Sequence, residues 1–382
     1  MFQQFKSFIS RNIKNAPGWR SSRKFIVIES DDWGGIRMPN SRVYNELLSS
    51  GIRVDLCPYN KYDTLANAQD LEALYSLLKT HADFKNNHPI ITFNTNVVNP
   101  DFDRIKEGSF EKYYYEDFTT TLNRYYPNED VFSLWKEGIK EKFIFPQFHG
   151  REHLNPEIWL DLLNNVESNT HLLKAFQHKT YGLSLITSNE IKLPFLASFI
   201  YKSKVQERNV ATSVIEGTAI FERIFGFKSK SIIAPLYTWP AELENTFENA
   251  GIKYIQGSDK HKEYDFIERK YKRIYHVMGK ENKFRQIYLH RNCYFEPTIH
   301  TGKDNIGDCL KQIESAFFWN KPAVISMHRL NFIGALDEDN RSRNLEALDI
   351  LLTKIKKKWK NVEFMHSSEL GDIIQNCKSN VI

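Results

Sequence analysis

Lys24 to Gly35 reads KFIVIESDDWGG. Phe25, Ile26, Val27 and Ile28 form a continuous β-branched and aromatic run. That is the pattern of a strand covered on both faces, as in parallel sheets with helices outside. Gly34 and Gly35 then end it. Where the apolar run gives out, the chain sets Asp31 beside Asp32. Adjacent carboxylates repel each other and resist desolvation, so they stay ionised only with solvent, a cation or hydrogen-bond donors around them. A turn capping the next helix would satisfy an isolated pair; the remaining motifs argue for a metal ion.

Seven further apolar runs follow: Ile90 to Phe93, Phe143 to Phe148, Ile232 to Tyr237, Lys253 to Gln256, Gln286 to Leu289, Ala323 to Met327 and Val362 to Met365. Between them lie stretches with apolar residues three and four apart, among them Asp70 to Lys79, Ala241 to Ala250, Ile306 to Phe318 and Leu345 to Trp359. Pro240 and Gly251 bracket one of these as a helix start and stop. The alternation predicts parallel β/α units. With no fixed-period repeat and no low-complexity linker, the 382 residues read as one domain. Its insertions are a Tyr-rich segment at about 99–126 and a polar one at about 258–281, either of which could wall a cleft.

Composition excludes several classes. Apolar residues at 41% and aromatics at 14% rule out disorder and suit a protein that stacks flat sugar rings. Fifty-two basic against 47 acidic side chains is too small an excess to signal nucleic acid. Cys57, Cys293, Cys309 and Cys377 are scattered without a CxxC pair, which argues against a thiolate zinc site or a disulfide framework and for a reducing compartment. No secretory signal or membrane span is visible, so the expected location is cytoplasmic. Residues 1–20 form an N-terminal amphipathic segment, with Phe2, Phe5, Ile9 and Ile13 at helical spacing. Residues 1–15 therefore admit a weak contact with a membrane surface, although packing on the protein's own body is favoured.

The second motif is FIFPQFHGREHLNPEIW, in which His149 and His153 stand four apart after a strand and before the helix entry Asn155-Pro156. Residues so spaced share a helical face or converge across a short turn, and both imidazoles can meet one ion. In KPAVISMHRLNF, His328 ends a third strand. Parallel strands bring such ends to one C-terminal edge, where sites are built. One Asp oxygen and two imidazole nitrogens make a zinc ligand set with an open position. The second Asp and His328 are left to move protons.

These residues resemble the polysaccharide deacetylases, the carbohydrate esterases that share the chitooligosaccharide deacetylase homology domain. The resemblance runs from Phe25 to about Ile374 through ESDDW, HGREH, APLYTWP, GIKYIQG, ISMH and FMHSSELGDII. It implies a distorted seven-stranded (β/α) barrel and a hydrolase that removes an N-acetyl or O-acetyl group from a sugar in a polysaccharide or glycan precursor. It implies Asp31 as general base and His328 as general acid, with Asp32, His149 and His153 holding Zn²⁺ or another divalent transition metal. Backbone N–H groups around Leu236 and Tyr237 are the expected oxyanion donors, and Trp33 and Trp239 the expected sugar-facing rings. The implied partner is an acetylated glycan or sugar-lipid precursor. Two family side chains have no counterpart: Ile233 stands where the third motif carries Arg, and QGSDKH offers Asp259 but no Trp. The competing readings are a non-catalytic glycan-binding barrel and a metal-dependent glycoside hydrolase, for which Glu29, Glu152 and Glu216 are the nominal carboxylates.

Overall fold

The structure is a computed structural model that describes residues 9, 11–165, 169–183 and 194–379. Its centre is one nine-stranded sheet: β1 (Lys24–Trp33), β2 (Ile91–Thr95), β3 (Ile144–Phe148), β4 (Ser231–Ile233), β5 (Tyr254–Gly257), β6 (Ile287–His290), β7 (Cys293–Tyr294), β8 (Ala323–His328) and β9 (Val362–Met365). The spatial order is β6-β5-β4-β3-β2-β1-β8-β7, and β9 pairs with the first half of β1. Every ladder is parallel. All eight apolar runs are therefore strands, with boundaries shifted by a few residues. The seven strands of the expected barrel become nine because β9 adds to β1 and because Cys293–Tyr294, too short to leave a pattern in sequence, pairs with β8. The path ends on β6 and β7, which are consecutive in the chain and separated only by Arg291 and Asn292.

β1 is buried along its length from Phe25 onward, as a continuous apolar run on a two-sided sheet requires. Gly34 follows at φ +77°, where a Cβ would lie 2.2 Å from the Asn96 carbonyl oxygen, so only glycine lets the chain leave the strand here. The Ile232 to Tyr237 run is a strand only as far as Ile233. Pro235 starts a tight 3₁₀ turn, Pro235–Tyr237, that bends the chain across the sheet edge.

Helices cover the sheet. Asn155 caps the helix Pro156–Asn164 by accepting from the Ile158 N–H, with Pro156 in its first turn. The longest, Lys204–Phe225, packs against β3: a Cβ at Gly217 would meet the Phe148 ring at 2.7 Å and Arg151 Cβ at 2.9 Å. The two insertions are more ordered than their composition suggests. Val98–Pro100 pairs antiparallel with Tyr115–Asp117, and Lys260–Asp265 with Lys270–Tyr275. Residues 1–8 and 10 of the amphipathic N-terminal segment lie outside the described residues. Among the described residues no helix is long and apolar enough to cross a membrane.

Gly217→Ala would normally favour a helix, but here the added methyl has no room. The expected outcome is a loss of about 1–3 kcal/mol of stability, the range for overpacking, measured as a lowered midpoint in urea with an unchanged slope.

Candidate active site

Alternation along a strand would send Asp31 and Asp32 to opposite faces. The end of β1 avoids this. The pairing between β1 and β2 shifts between Ser30 and Trp33, and Asp32 adopts φ 72°, a left-handed conformation that Asp tolerates better than most residues. The irregularity re-aims Asp32, so both carboxylates border one cavity of about 410 Å³. His149, His153, His328, Arg37, Tyr59 and Tyr237 border it too.

Asp32, His149 and His153 are buried and offer three ligand atoms within 4.8 Å of one another. His149 follows β3 directly, and the two imidazoles meet across the turn 149–154 rather than along a helix. His149 Nδ1 donates to the Ile233 carbonyl at 2.8 Å, which leaves the lone pair of a neutral ring on Nε2. Nε2 has no hydrogen-bond partner and lies 3.4 Å from Asp32 Oδ1; His153 Nε2 lies 3.2 Å from the same oxygen. Burial depresses His153 to about 4, so it is neutral at ordinary pH. The unpartnered lone pair of His149 Nε2 beside a buried carboxylate oxygen calls for a cation, and this N₂O donor set suits a divalent transition metal with open positions. The other oxygen, Asp32 Oδ2, accepts from Arg37 Nη2 at 3.0 Å. Burial works to raise the Asp32 carboxyl, but the Arg37 charge outweighs it and holds the group well below the usual range.

Asp31 is governed by a residue that carried no signal in the sequence. Arg291, fully buried in the break between β6 and β7, donates through Nη2 to Asp31 Oδ1 and through Nη1 to Oδ2, both at 2.6 Å. Its Nε donates to Glu29 at 2.5 Å, and Nη1 also reaches the Tyr237 hydroxyl at 2.9 Å. Asn94 Nδ2 adds a 2.8 Å bond to Asp31 Oδ1. Burial alone would raise the Asp31 carboxyl; the charge and hydrogen bonds of Arg291 bring it down to about 2.

His328 is the direct ladder partner of Asp31 between β1 and β8, and its Nε2 lies 3.9 Å from Asp31 Oδ2. Its Nδ1 is 2.6 Å from Glu296 Oε1, and Asn331 holds the other Glu296 oxygen at 2.9 Å. Burial would depress this imidazole, yet Glu296, followed by Asp31 and Asp32, raises it to about 9. Asp259, the residue suggested by sequence for this orienting role, instead lies 3.7 Å from Lys14 and hydrogen-bonds Ser258.

Other expectations need correction. Trp33 and Trp239 are each 1% exposed and do not border the cavity. Trp33 stacks on Phe93 and donates to Ser30; Trp239 stacks on His261 and donates to Glu244. Both rings are large apolar surfaces that fill the core next to the site. Leu236 and Tyr237 do border the cavity, and both have left-handed φ, 56° and 52°. The Tyr237 N–H, however, donates to the Ala234 carbonyl at 2.9 Å and is not free for a substrate. Glu29, Glu152 and Glu216 do not border the cavity. Glu29 is bound by Arg291 and Ser367, and the other two pair with Arg151 beside a neighbouring cavity of about 480 Å³.

No family model and no curated protein matches the chain. Among solved structures, a protein assigned as a polysaccharide deacetylase from Mycobacterium smegmatis is similar at TM-score 0.46 and 9% identity, covering 95% of this chain and 94% of that one. A 4-alpha-glucanotransferase from Thermococcus litoralis gives 0.45 at 11% identity over 91% of this chain, which spans only 40% of that protein. A protein assigned as a polysaccharide deacetylase from Pseudomonas aeruginosa PAO1 gives 0.42 at 10% identity, with 92% and 91% covered. With every TM-score below 0.5, these likenesses carry no weight for function.

Protein purified without chelator or affinity metal is expected to carry about one divalent ion per chain by mass spectrometry, lost in the His149→Ala, His153→Ala double variant. The His328 ring, followed by NMR, is expected to titrate near 9, and in Glu296→Gln to move down toward the ordinary 6.5. A His328 that titrates near 6.5 in the unaltered protein would contradict the role given to Glu296.

Proposed function

We propose that the chain is a metal-dependent hydrolase that removes an acyl group, most simply acetyl, from an amino sugar in a glycan or a sugar-lipid precursor. The observation that carries this reading is the opposed pair Asp31 and His328. One is held anionic and the other cationic, as ladder partners at the rim of the cavity that contains the Asp32, His149 and His153 donor set. On this reading the described residues belong to one domain, and the short Ile287–Tyr294 stretch, paired with β5 at its start and β8 at its end, brings the sheet round into a barrel.

A divalent ion such as Zn²⁺ at the donor set would supply Lewis acidity toward the acyl oxygen and acidify a water molecule. Asp32, His149 and His153 would hold it. Asp31 would take the proton of the attacking water. Oδ1 already accepts two hydrogen bonds, from Asn94 and Arg291, whereas Oδ2 accepts one and keeps a lone pair for this proton. Arg291 keeps Asp31 ionised and able to accept that proton, while making it a weaker base than an ordinary carboxylate. With the Tyr237 N–H committed, the Leu236 N–H is the backbone donor proposed for the developing oxyanion. His328, raised to about 9, is protonated below that pH and would deliver its Nε2 proton to the departing amine. A glycosidase would instead need two carboxyl groups free to act on the sugar, whereas Asp31 is gripped by Arg291 and Asp32 faces the two imidazoles and Arg37.

Acetate release from acetylated amino sugars is the measurement. Asp31→Asn should retain the ion and lose roughly a hundredfold or more in kcat. Because His328 must carry its proton, the rate should hold up to about pH 9 and fall above it. Full activity in Asp31→Asn, or reducing-sugar release without acetate, would reject the reading.

A further inference from the structure

The antiparallel hairpin Lys260–Asp265 with Lys270–Tyr275 has two unlike faces. Its register sets His261 against Ile274, Glu263 against Lys272 and Asp265 against Lys270 on one side. There charges oppose charges of the other sign, and His261 stacks between Trp239 at 3.9 Å and His276 at 4.8 Å, which fixes the hairpin to the body of the protein. The other side sets Lys260 against Tyr275, Lys262 against Arg273 and Tyr264 against Tyr271.

This second face has three cations, no carboxylate and three tyrosines. Like charges directly opposite each other destabilise a strand pair, yet Lys262 faces Arg273, and among the described residues neither they nor Lys260 form an ion pair. The ammonium groups lie over rings instead, Lys260 at 5.6 Å from the Tyr275 centroid and Lys262 at 5.4 Å from that of Tyr271. Tyr275 is 67% exposed. The face is also continuous with the catalytic cavity. Lys262 borders that cavity, and its carbonyl accepts from the Trp239 N–H at 3.0 Å, which ties the hairpin to the turn bearing Leu236 and Tyr237.

We propose that this face binds the carboxylate-bearing part of an acidic glycan whose acylated sugar enters the cavity. The inference rests on the hydrolase reading for the identity of the cavity end of the ligand, and on the hairpin alone for the acidic end. A single phosphate would be held by donors that converge on one point. Here the cations run along the hairpin, with Lys260 two residues, roughly 7 Å, from the Lys262 and Arg273 pair, and Tyr271 and Tyr275 flank Arg273 on its strand. That spacing suits rings to stack on and isolated carboxylates to neutralise. An anionic occupant also relieves the Lys262 to Arg273 repulsion that the free hairpin retains.

The test is calorimetric binding of a hyaluronan hexasaccharide, with a carboxylate on alternate rings, against neutral chitohexaose. The unaltered protein should prefer the acidic probe by about tenfold or more at about 50 mM salt and lose most of the preference at about 300 mM. In Lys260→Gln, Arg273→Gln the ratio of the two affinities should fall severalfold. The salt comparison on the unaltered protein stands even if that variant folds poorly. Equal affinities, a preference that salt does not weaken, or tighter binding of N-acetylglucosamine 1-phosphate or a single-stranded DNA oligomer would overturn the proposal. Acidic preference with no acetate release from any acetylated sugar would support this face and reject the hydrolase reading. Acetate release with equal affinities would do the reverse.

Discussion

Two ionised carboxylates on consecutive residues of a buried strand can coexist only if each has a cation of its own. Asp31 and Asp32 meet this constraint separately. Arg291 grips both oxygens of Asp31, and Arg37 takes the outer oxygen of Asp32 while two imidazoles face the inner one. Removing two charges from water costs several kcal/mol each even after the protein relaxes, so the surrounding groups are arranged to satisfy them. Glu29 and Asp31, two apart on β1, share a face, which lets one guanidinium bridge both. Asp63 holds Arg329 through two bonds and lies 3.8 Å from Arg37, extending the same buried network.

The parts of this arrangement that the sequence displays are the local ones. The β1 run, the Asp pair, the four-residue histidine spacing and the strand-ending His328 are contiguous patterns whose physics is legible within a few residues. The structure brings all of them to one strand edge. Arg291 and Glu296 were not legible. Arg291 meets Asp31 across 260 positions, and Glu296 sits in a short stretch, HRNCYFEP, with no periodicity. The only trace was two charged residues flanking an otherwise apolar Cys293–Tyr294, which has no meaning until β7 is seen to pair with β8.

Other differences have similar causes. The helix Lys204–Phe225 buries Gln206, Ser213 and Gly217 against the sheet, so its inner face does not look apolar. The helix Glu338–Lys358 begins seven residues before the apolar spacing does, because Asp337 caps a polar first turn and buried Asn340, Arg341 and Asn344 make hydrogen bonds there. Trp33 and Trp239 adjoin site residues in sequence, but their rings point into the core. Neighbourhood along the chain says little about which way a large ring turns.

The charge state of the cavity wall links these features. In and behind it stand Asp31, Asp32, Glu29, Glu296 and Asp63 with Arg37, Arg291, Arg329, Lys262 and protonated His328, five carboxylates and five cations. Arg37 holds the outer oxygen of Asp32, whereas Oδ1 faces only the two imidazoles, so the attraction for a cation is focused on the donor set rather than spread over the rim. On the proposed hydrolase reading, a divalent ion there would add positive charge beside an acyl oxygen that becomes negative during attack. Because Asp31 and His328 are shifted in opposite directions, to about 2 and about 9, these two stay oppositely charged across the range between them. On the proposed hydrolase reading, a proton accepted by Asp31 and one given up by His328 leave the charge of the pair unchanged, so the attraction of Asp32 for an ion survives the exchange.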